Sequence, residues 1–515
     1  MQRYQVLDQI KEQVMIQTSR LALNNRLEEE IDSLPYLIIN RDRPLHRCCV
    51  YHERAVVGER IRLALGLDPG RGGAPQRLSA LVAKARSQKR PRGPVITVID
   101  SACDACPIDR FTVTNACRNC MAHACRDVCP RQAIVIADGR ALIDQSRCVE
   151  CGRCAAACPF HAIVEVIRPC IRACSIGAIK VQPNRKARID YRSCVGCGHC
   201  ITACPYGAIA EKSFLLPVIA MLQAGPPVYA VLAPSFVGQF GPRVTPGKLR
   251  EALKQLGFTE VVEAAQGADL VTVEEAREFL DRPAEAEGFR MNRCCYGFHQ
   301  LVCKHHPGLA EYQFKSVSPM VRSGQLIKQS HPRSRVVFIG PCVAKKTEAL
   351  QQSARKFVDA VLTFDELKAL LKAAEIDPST LKGKEEVQDA SCAGRAFARA
   401  GGVSQALVET IKRLAPEAEV TVERAEGLAD CERLLKAAAA GRLKADLLEG
   451  MACPGGCLGG PATNLKPAVA GKLVEDFCRS ALYPSSLDHP LGAAAAEAPG
   501  KTITAVGRLN GQTHV

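Results

Sequence analysis

The sequence predicts an α/β domain in the C-terminal half, preceded by small α+β units built around clustered cysteines and by an N-terminal helical segment. Three observations carry this. The chain has 515 residues and 27 cysteines, most of them between Cys103 and Cys204. After Ile209 strand-like and helix-like segments alternate, the pattern of an α/β domain. Before the cysteines, Val6, Ile10, Val14 and Leu21 recur at helical spacing from Tyr4 to about Ile31.

This length implies two to four domains with sizeable cores. The first thirty residues mix charged and apolar side chains too evenly for a signal peptide, so the expected compartment is the cytoplasm. Thiols at fixed spacing in a reducing compartment bind metal more readily than they pair. No apolar run approaches twenty residues, so no membrane span is expected. The formal net charge is +15, but that figure counts every cysteine as neutral. Five four-iron clusters on twenty thiolates, each worth about −2, would bring the total to roughly +5. With no Trp and few aromatics to stack bases, nucleic acid is not an expected partner. An acidic electron carrier is.

Residues 1–95 read as a helical cap ending in a basic, Gly- and Pro-broken linker from Arg71 to Arg92. Its adjacent Cys48 and Cys49 have no metal-ligand spacing, and their role is left open.

Residues 96–212 hold the thiol array. Cys148-x2-Cys151-x2-Cys154-x3-Cys158-Pro and Cys194-x2-Cys197-x2-Cys200-x3-Cys204-Pro have the bacterial ferredoxin spacing, in which three thiolates of a run bind one [4Fe-4S] cluster and the fourth ligates its neighbour. Cys117-x2-Cys120-x4-Cys125-x3-Cys129-Pro is a looser copy, and Cys170-x3-Cys174 lacks its first two thiols, which Cys103 and Cys106 can supply. Four half-units end alike, in Cys129-Pro-Arg-Gln-Ala-Ile, Cys158-Pro-Phe-His-Ala-Ile, Cys174-Ser-Ile-Gly-Ala-Ile and Cys204-Pro-Tyr-Gly-Ala-Ile. Two ferredoxin-like units follow. The crossover rule groups Cys117, Cys120, Cys125 with Cys158; Cys148, Cys151, Cys154 with Cys129; Cys194, Cys197, Cys200 with Cys174; and Cys103, Cys106, Cys170 with Cys204.

Residues 213–482 form the α/β domain, with strand-like segments at Val228 to Pro234, Arg335 to Pro341 and Glu419 to Arg424. Helical segments run over Lys248 to Leu256, Glu274 to Leu280, Phe364 to Ala373 and Cys431 to Ala440. Three motifs stand in it: Asn292-Arg-Cys294-Cys295-Tyr-Gly-Phe, Gly340-Pro341-Cys342-Val-Ala-Lys345-Lys-Thr-Glu348, and Glu449-Gly-Met451-Ala-Cys453-Pro-Gly-Gly-Cys457-Leu-Gly-Gly460. Cys295, Cys342, Cys453 and Cys457 make four thiolates, with glycines letting backbone approach a bulky ligand. Cys303, Cys392, Cys431 and Cys478 read as free buried thiols, and His305-His306 as an exposed loop. The Ala-, Gly- and Pro-rich residues 483–515 read as a tail without chemistry.

Together the three motifs resemble the signature motifs of the [FeFe] hydrogenases. The array, with Arg47-Cys48-Cys49-Val50-Tyr51 and Cys103-Asp-Ala-Cys106-Pro, resembles their group B branch. The resemblance implies an H-cluster domain and four accessory [4Fe-4S] clusters. The H-cluster would be a four-iron cube on Cys295, Cys342, Cys453 and Cys457, bridged by Cys457 to a two-iron unit with CO, cyanide and a dithiolate amine. It implies interconversion of H2 with protons and electrons, H-cluster maturases as assembly partners, and ferredoxin or a similar carrier as electron partner.

The resemblance further implies that Lys345 and Ser235 serve the two cyanide sides, that Met451 is the apolar neighbour of the two-iron unit, and that Cys294 relays protons. Glu275 and Glu278, on one helix face, match the outward proton path; a solvated face is the alternative. Glu348 either orients the Lys345 region or is an ordinary helix-surface glutamate. The chain departs from the pattern at Arg293, Tyr296, Gly340 and Met320, and above all at Phe314, where a relay serine is usual. The path is therefore expected to be rerouted. Two other readings share the motifs: a non-catalytic relative of the cytosolic iron–sulfur assembly type, and an H2 sensor.

Overall fold

The computed structural model describes residues 5–70, 76–104, 106, 109–282, 288–383 and 388–497. Tyr4 and the first residues of the basic linker therefore lie outside the described residues.

The helical segment is broken where the sequence is least apolar. Helix Gln5–Leu23 ends before Asn24-Asn25, with Asn25 in the left-handed region (φ 57°), and a short helix Leu27–Glu30 follows. Helices Leu34–Ile38, Val50–Ala64 and Ser79–Ser87 complete it. The segment does not cap from a distance. Val14, Leu21 and Ile61 share one apolar core with Val231, Val337, Leu362 and Phe364, residues more than 160 positions downstream. The linker is also anchored, since Arg90 donates to Ala349 O at 2.9 Å and Arg355 O at 2.7 Å. Its expected reading as a solvated linker fails at this end, because guanidinium donors found carbonyls left open by the α/β domain.

The thiol array is nested. Strand Ile96–Val98 pairs antiparallel with Ile209–Glu211, so the segment before the first cysteine closes on the segment after the last. Hairpin Ile179–Val181 with Ala187–Ile189 belongs to this outer unit. Within it is inserted a second unit, made by Phe111–Val113 paired with Ile163–Glu165 and by Ile134–Ala137 paired with Arg140–Ile143.

The C-terminal half carries two parallel sheets. One has the order Glu260–Glu263, Val228–Leu232, Arg335–Gly340, Ala360–Thr363. The other runs Arg290–Met291, Leu447–Met451, Val422–Glu426. Val228–Leu232 and Leu447–Met451 are buried along their whole length; the first therefore reads as an unbroken apolar run, while the second carries Glu449, whose carboxylate is held by the N–H groups of Gly401 and Ser404. In open parallel sheets ligands gather beyond the carboxyl ends of the strands. All three motifs leave strands at that end: Cys294 and Cys295 after Arg290–Met291, Cys342 after Arg335–Gly340, and Cys453 after Leu447–Met451.

Residues 483–497 are no tail. Ser486 is fully buried and donates to Asp269 at 2.8 Å, and helix Pro490–Glu497 packs on helix Ala264–Leu280. An alanine-rich stretch reads as featureless in sequence, but small side chains are what a tight helix contact needs. No described helix is long and apolar enough to cross a membrane.

Candidate metal centre

The four thiols of the C-terminal motifs meet. Cys342 senses the charge of Cys295, Cys457 senses both, and Cys453 senses the other three. Each residue is only half-buried, yet the surrounding protein strips enough water to push Cys342 up to about 11 and Cys457 up to about 12. None of the four is in a disulfide. Among the described residues no three His, Cys, Asp or Glu side chains close on a single ion. The donor set is that of a multi-iron cluster, in which each thiolate ligates its own iron.

Close packing by itself also demands the glycines of the last motif. A Cβ on Gly460 would stand 2.8 Å from Pro341 O, and one on Gly456, whose φ is 69°, would stand 2.6 Å from Ala400 N. A Cβ on Gly450 would stand 2.2 Å from the Phe298 ring. They let this loop pack against the other two motifs and their neighbours, which brings the thiols together. At Gly340 a Cβ would come 2.7 Å from Phe338 and 3.1 Å from Ala233, so Phe338 fills the space a larger residue would need.

Around the thiols polar groups are individually tied. Lys345 Nζ donates to Glu348 Oε2 at 2.6 Å and to Cys294 O at 2.9 Å, and Ser318 Oγ donates to Glu348 Oε1 at 2.6 Å. Burial pulls the ammonium down, but the Glu348 carboxylate outweighs it and holds Lys345 above its ordinary value. Glu348 is buried and paired, which disposes of its reading as an ordinary surface glutamate. Met451 is 3% exposed in an apolar group with Ala268, Phe397 and Val403, against which Cys294 and Cys295 pack. Ser235 is fully buried, and its hydroxyl has no hydrogen-bond partner among the described residues. An orphaned hydroxyl on the turn beside Ala233, the neighbour of Gly340, fits a polar ligand on that side.

Cys294 is held well above the usual thiol range by burial, against the opposing bond from Asn292 Nδ2 at 3.3 Å. Asn292 also pairs with Gly450 in both directions, donating at 3.3 Å and accepting from its N–H at 2.8 Å. It locks the first motif to the third. Sequence reasoning quoted Asn292 without giving it a role; a buried amide inside a cysteine motif was the available signal.

Helix Ala264–Leu280 carries both expected carboxylates, but not on a solvated face. Glu275 is 1% exposed and pushed up to about 8 by burial, while Glu278 lies at the edge and accepts from the exposed Lys315 N–H at 3.0 Å. Phe314 is buried among Leu407, Ile411 and Leu447, with no proton to give. Two residues on, Ser316 Oγ donates to Glu275. Counting positions without gaps pointed to Phe314; the backbone brings Ser316 to the carboxylate instead.

Upstream, the thiols fall into sets. Cys170 is pushed up to about 12 by burial and by Cys204, Cys106 and Cys103. Cys125 senses Cys158, Cys120 and Cys117, while Cys154 senses Cys148 and Cys151 and shares an apolar group with Cys129. Cys200 senses Cys197, Cys194 and Cys174, and beyond them Cys170 of the first set. The four half-units share one device: the N–H of Ala133, Ala162, Ala178 and Ala208 donates at 3.3 Å to Cys129, Cys158, Cys174 and Cys204. At the other end the array touches the C-terminal thiols, because Cys453 senses Cys197 and a Cβ on Gly297 would lie 4.0 Å from that of Cys197. His305, expected with His306 in an exposed loop, instead closes helix Tyr296–His305, and Lys304 and His305 hold the array by bonds of 2.6 Å to Cys194 O and 2.8 Å to Ser193 O. His306 pairs with Glu432 at 2.9 Å. Of the four other thiols in the C-terminal half, Cys431 and Cys478 are buried, Cys392 is half-buried and Cys303 is exposed, contrary to expectation.

Comparison with known proteins agrees with this division. The C-terminal domain of the iron-only hydrogenase large subunit matches residues 226–461, a 4Fe-4S double cluster binding domain matches 147–207, and a 4Fe-4S dicluster domain matches 116–162. The NADP-reducing hydrogenase subunit HndD of Solidesulfovibrio fructosivorans is 29% identical over 47% of this chain and 49% of its own length. The periplasmic [Fe] hydrogenase large subunit of Nitratidesulfovibrio vulgaris is 28% identical over 64% and 87%. The cytosolic Fe-S cluster assembly factor NAR1 of Kluyveromyces lactis is 36% identical over 19% and 21%. The chain thus spans about half the length of the first of these relatives.

Proposed function

Because this chain is an [FeFe] hydrogenase-like protein with N-terminal iron–sulfur domains, we propose that it interconverts H2 with protons and electrons at an H-cluster held by Cys295, Cys342, Cys453 and Cys457. The observation that carries the reading is the convergence of these four thiols beyond the carboxyl ends of two parallel sheets, with Lys345, Cys294 and the orphaned Ser235 around them. When bound, the H-cluster supplies the low-valent iron at which H2 is made or split.

The protein's own residues divide the remaining work. Lys345 holds a positive charge where anionic cyanide is expected, and Glu348 and Ser318 fix its direction. Met451 and its apolar neighbours keep water out. Cys294, kept protonated by burial and aimed by Asn292, holds a proton beside the centre. Glu275 can carry it outward as a neutral acid, because its ordinary acidity is suppressed, and Ser316 and Glu278 continue toward solvent. Electrons travel by the array, for which four accessory [4Fe-4S] clusters are proposed on the sixteen upstream cysteines. The carrier proposed to dock is an acidic ferredoxin, and H-cluster maturases are the proposed assembly partners.

A non-catalytic iron–sulfur role is the second reading, favoured by the likeness to the assembly factor. Infrared spectroscopy of protein purified without oxygen, after co-expression with the maturases, separates the two. CO and cyanide bands are expected; their absence would sink the hydrogenase reading whatever the iron content. In Cys294→Ala those bands should persist while most H2 turnover is lost.

A further inference from the structure

One group of reactive side chains takes no part in the proposed chemistry. Cys48 is exposed and Cys49 half-exposed, with their sulfurs 3.9 Å apart. His52 lies one helical turn on, and its Nδ1 is 3.2 Å from Cys48 Sγ. Its Nε2 is 2.7 Å from Ser101 O. A carbonyl can only accept, so Nε2 carries the ring proton and Nδ1 presents a lone pair to the thiol. The Asp104 carboxylate, 3.6 Å from Nε2 and held by Arg47, supports the imidazolium that forms when the thiol's proton moves.

Backbone geometry adds to this. Cys49 caps the fifteen-residue helix Val50–Ala64 with extended backbone, and its side chain makes no capping bond, so both sulfurs lie at a helix N-terminus that favours negative charge. Glu53 in the first turn offsets little, because its carboxylate is used by Arg41 and by the N–H groups of Leu45 and His46. The Cys49 thiol raises Cys48 above its ordinary value, so the resting form is a thiol bonded to imidazole, and the proton leaves only on attack.

The place is as informative as the chemistry. Ser101 and Asp104 flank Cys103, a thiol of the set with Cys106, Cys170 and Cys204. Leu45, His46 and Arg47, just before Cys48 in the chain, line a groove of about 610 Å³ that has Val56 and Tyr206 in its walls and the guanidinium groups of Arg41, Arg47 and Arg60 against the single carboxylate of Glu53. That volume suits a small molecule, and a lining with three guanidinium groups to one carboxylate suits an anion.

We propose that Cys48 and Cys49 form a thiol–disulfide exchange site for a small anionic disulfide, supplied with electrons by the adjoining iron–sulfur set. Cys48 sulfur attacks one sulfur of the substrate as its proton passes to His52; the substrate S–S bond breaks, a mixed disulfide forms, and the first thiol leaves with that proton. Cys49 sulfur then attacks Cys48, forming the Cys48–Cys49 bond and releasing the second thiol with the Cys49 proton. The protein has lost two electrons and two protons and the substrate has gained them. Return to the dithiol takes two electrons and two protons; an iron–sulfur cluster held by Cys103, Cys106, Cys170 and Cys204 would supply the electrons one at a time from a low-potential carrier, and water the protons. Only this return step rests on the iron–sulfur reading, and none of it requires H2.

The test uses the cluster-loaded protein without oxygen and oxidised glutathione as probe. Wild type should release two thiols per chain and yield a Cys48–Cys49 disulfide on peptide mapping. Cys49→Ser should retain one glutathione on Cys48, Cys48→Ser should retain none there, and His52→Ala should slow the first release about a hundredfold. Reduced methyl viologen should then sustain repeated turnover in wild type and not in Cys48→Ser, with unchanged cluster absorption. Wild-type release from Cys48→Ser, or glutathione captured on the exposed Cys303 in place of Cys48, would overturn the exchange site. Exchange that viologen cannot renew would overturn the electron supply alone. H2 assays play no part, so failure of the hydrogenase reading is separately visible.

Discussion

Ser316 donates its hydroxyl hydrogen to Glu275, a carboxyl that is 1% exposed. On the proposed proton route from Cys294 to Glu278, this contact supplies the exchangeable proton that phenylalanine at position 314 lacks. Ser316→Ala should lower H2 turnover by about ten- to a hundredfold while iron content and infrared bands stay as in wild type. Phe314→Ser should not compensate, because residue 314 faces an apolar group.

The same carboxyl gives a pH signature. Glu275 titrates near 4.5 when unfolded and at about 8 in the fold, with burial as the main cause. The folded state therefore binds the extra proton between these values, and Glu275 costs progressively more stability as pH rises through that window. Glu275→Gln cannot ionise. Its urea midpoint should fall less than that of wild type between pH 5 and pH 8, a difference worth a few kcal/mol at the upper end. Parallel curves would refute the assignment.

Gly450 sits where no side chain fits. In Gly450→Ala the added methyl meets the buried Phe298 ring at 2.2 Å, so Leu447–Met451 must shift and carry Cys453 with it. A loss of about 1–3 kcal/mol is expected, together with iron missing from the C-terminal site. Analysis of iron per chain, set beside the urea midpoint, checks both.

Arg395 and Glu263 form a wholly buried pair, with guanidinium bonds of 2.9 and 2.7 Å, and burial still pushes Glu263 up to about 7. Arg395→Met should cost about 3–5 kcal/mol by leaving that carboxyl unpaired. Arg395→Met with Glu263→Met should recover most of it. A double variant as unstable as the single one would mean that the pair contributes more than mutual neutralisation.

Much of the molecule was readable from spacing alone. Cysteines three residues apart, and the repeated Ala-Ile four to five residues after each final thiol, name the array because a cluster's size dictates local spacing and the alanine N–H returns to that sulfur. Apolar runs such as Val228–Leu232 are legible for a similar reason, since complete burial leaves no polar position. Ser316, Asn292, Cys303 and the packed residues 483–497 were not legible, because their roles depend on what another segment brings to them.

Taken by itself, the sequence determined the fold class, the α/β domain with its iron–sulfur units and the hydrogenase-like kinship, since these follow from local spacing and periodicity. Tertiary structure alone decided that one thiol unit is inserted within the other, that the N-terminal helices share the α/β core, and that Ser316 rather than residue 314 meets Glu275. The physical reason is common to all three. Burial and hydrogen-bond partnership are properties of positions in space, and segments from 41 residues apart, as for Ser316 and Glu275, to far more distant ones set them only once the chain has folded.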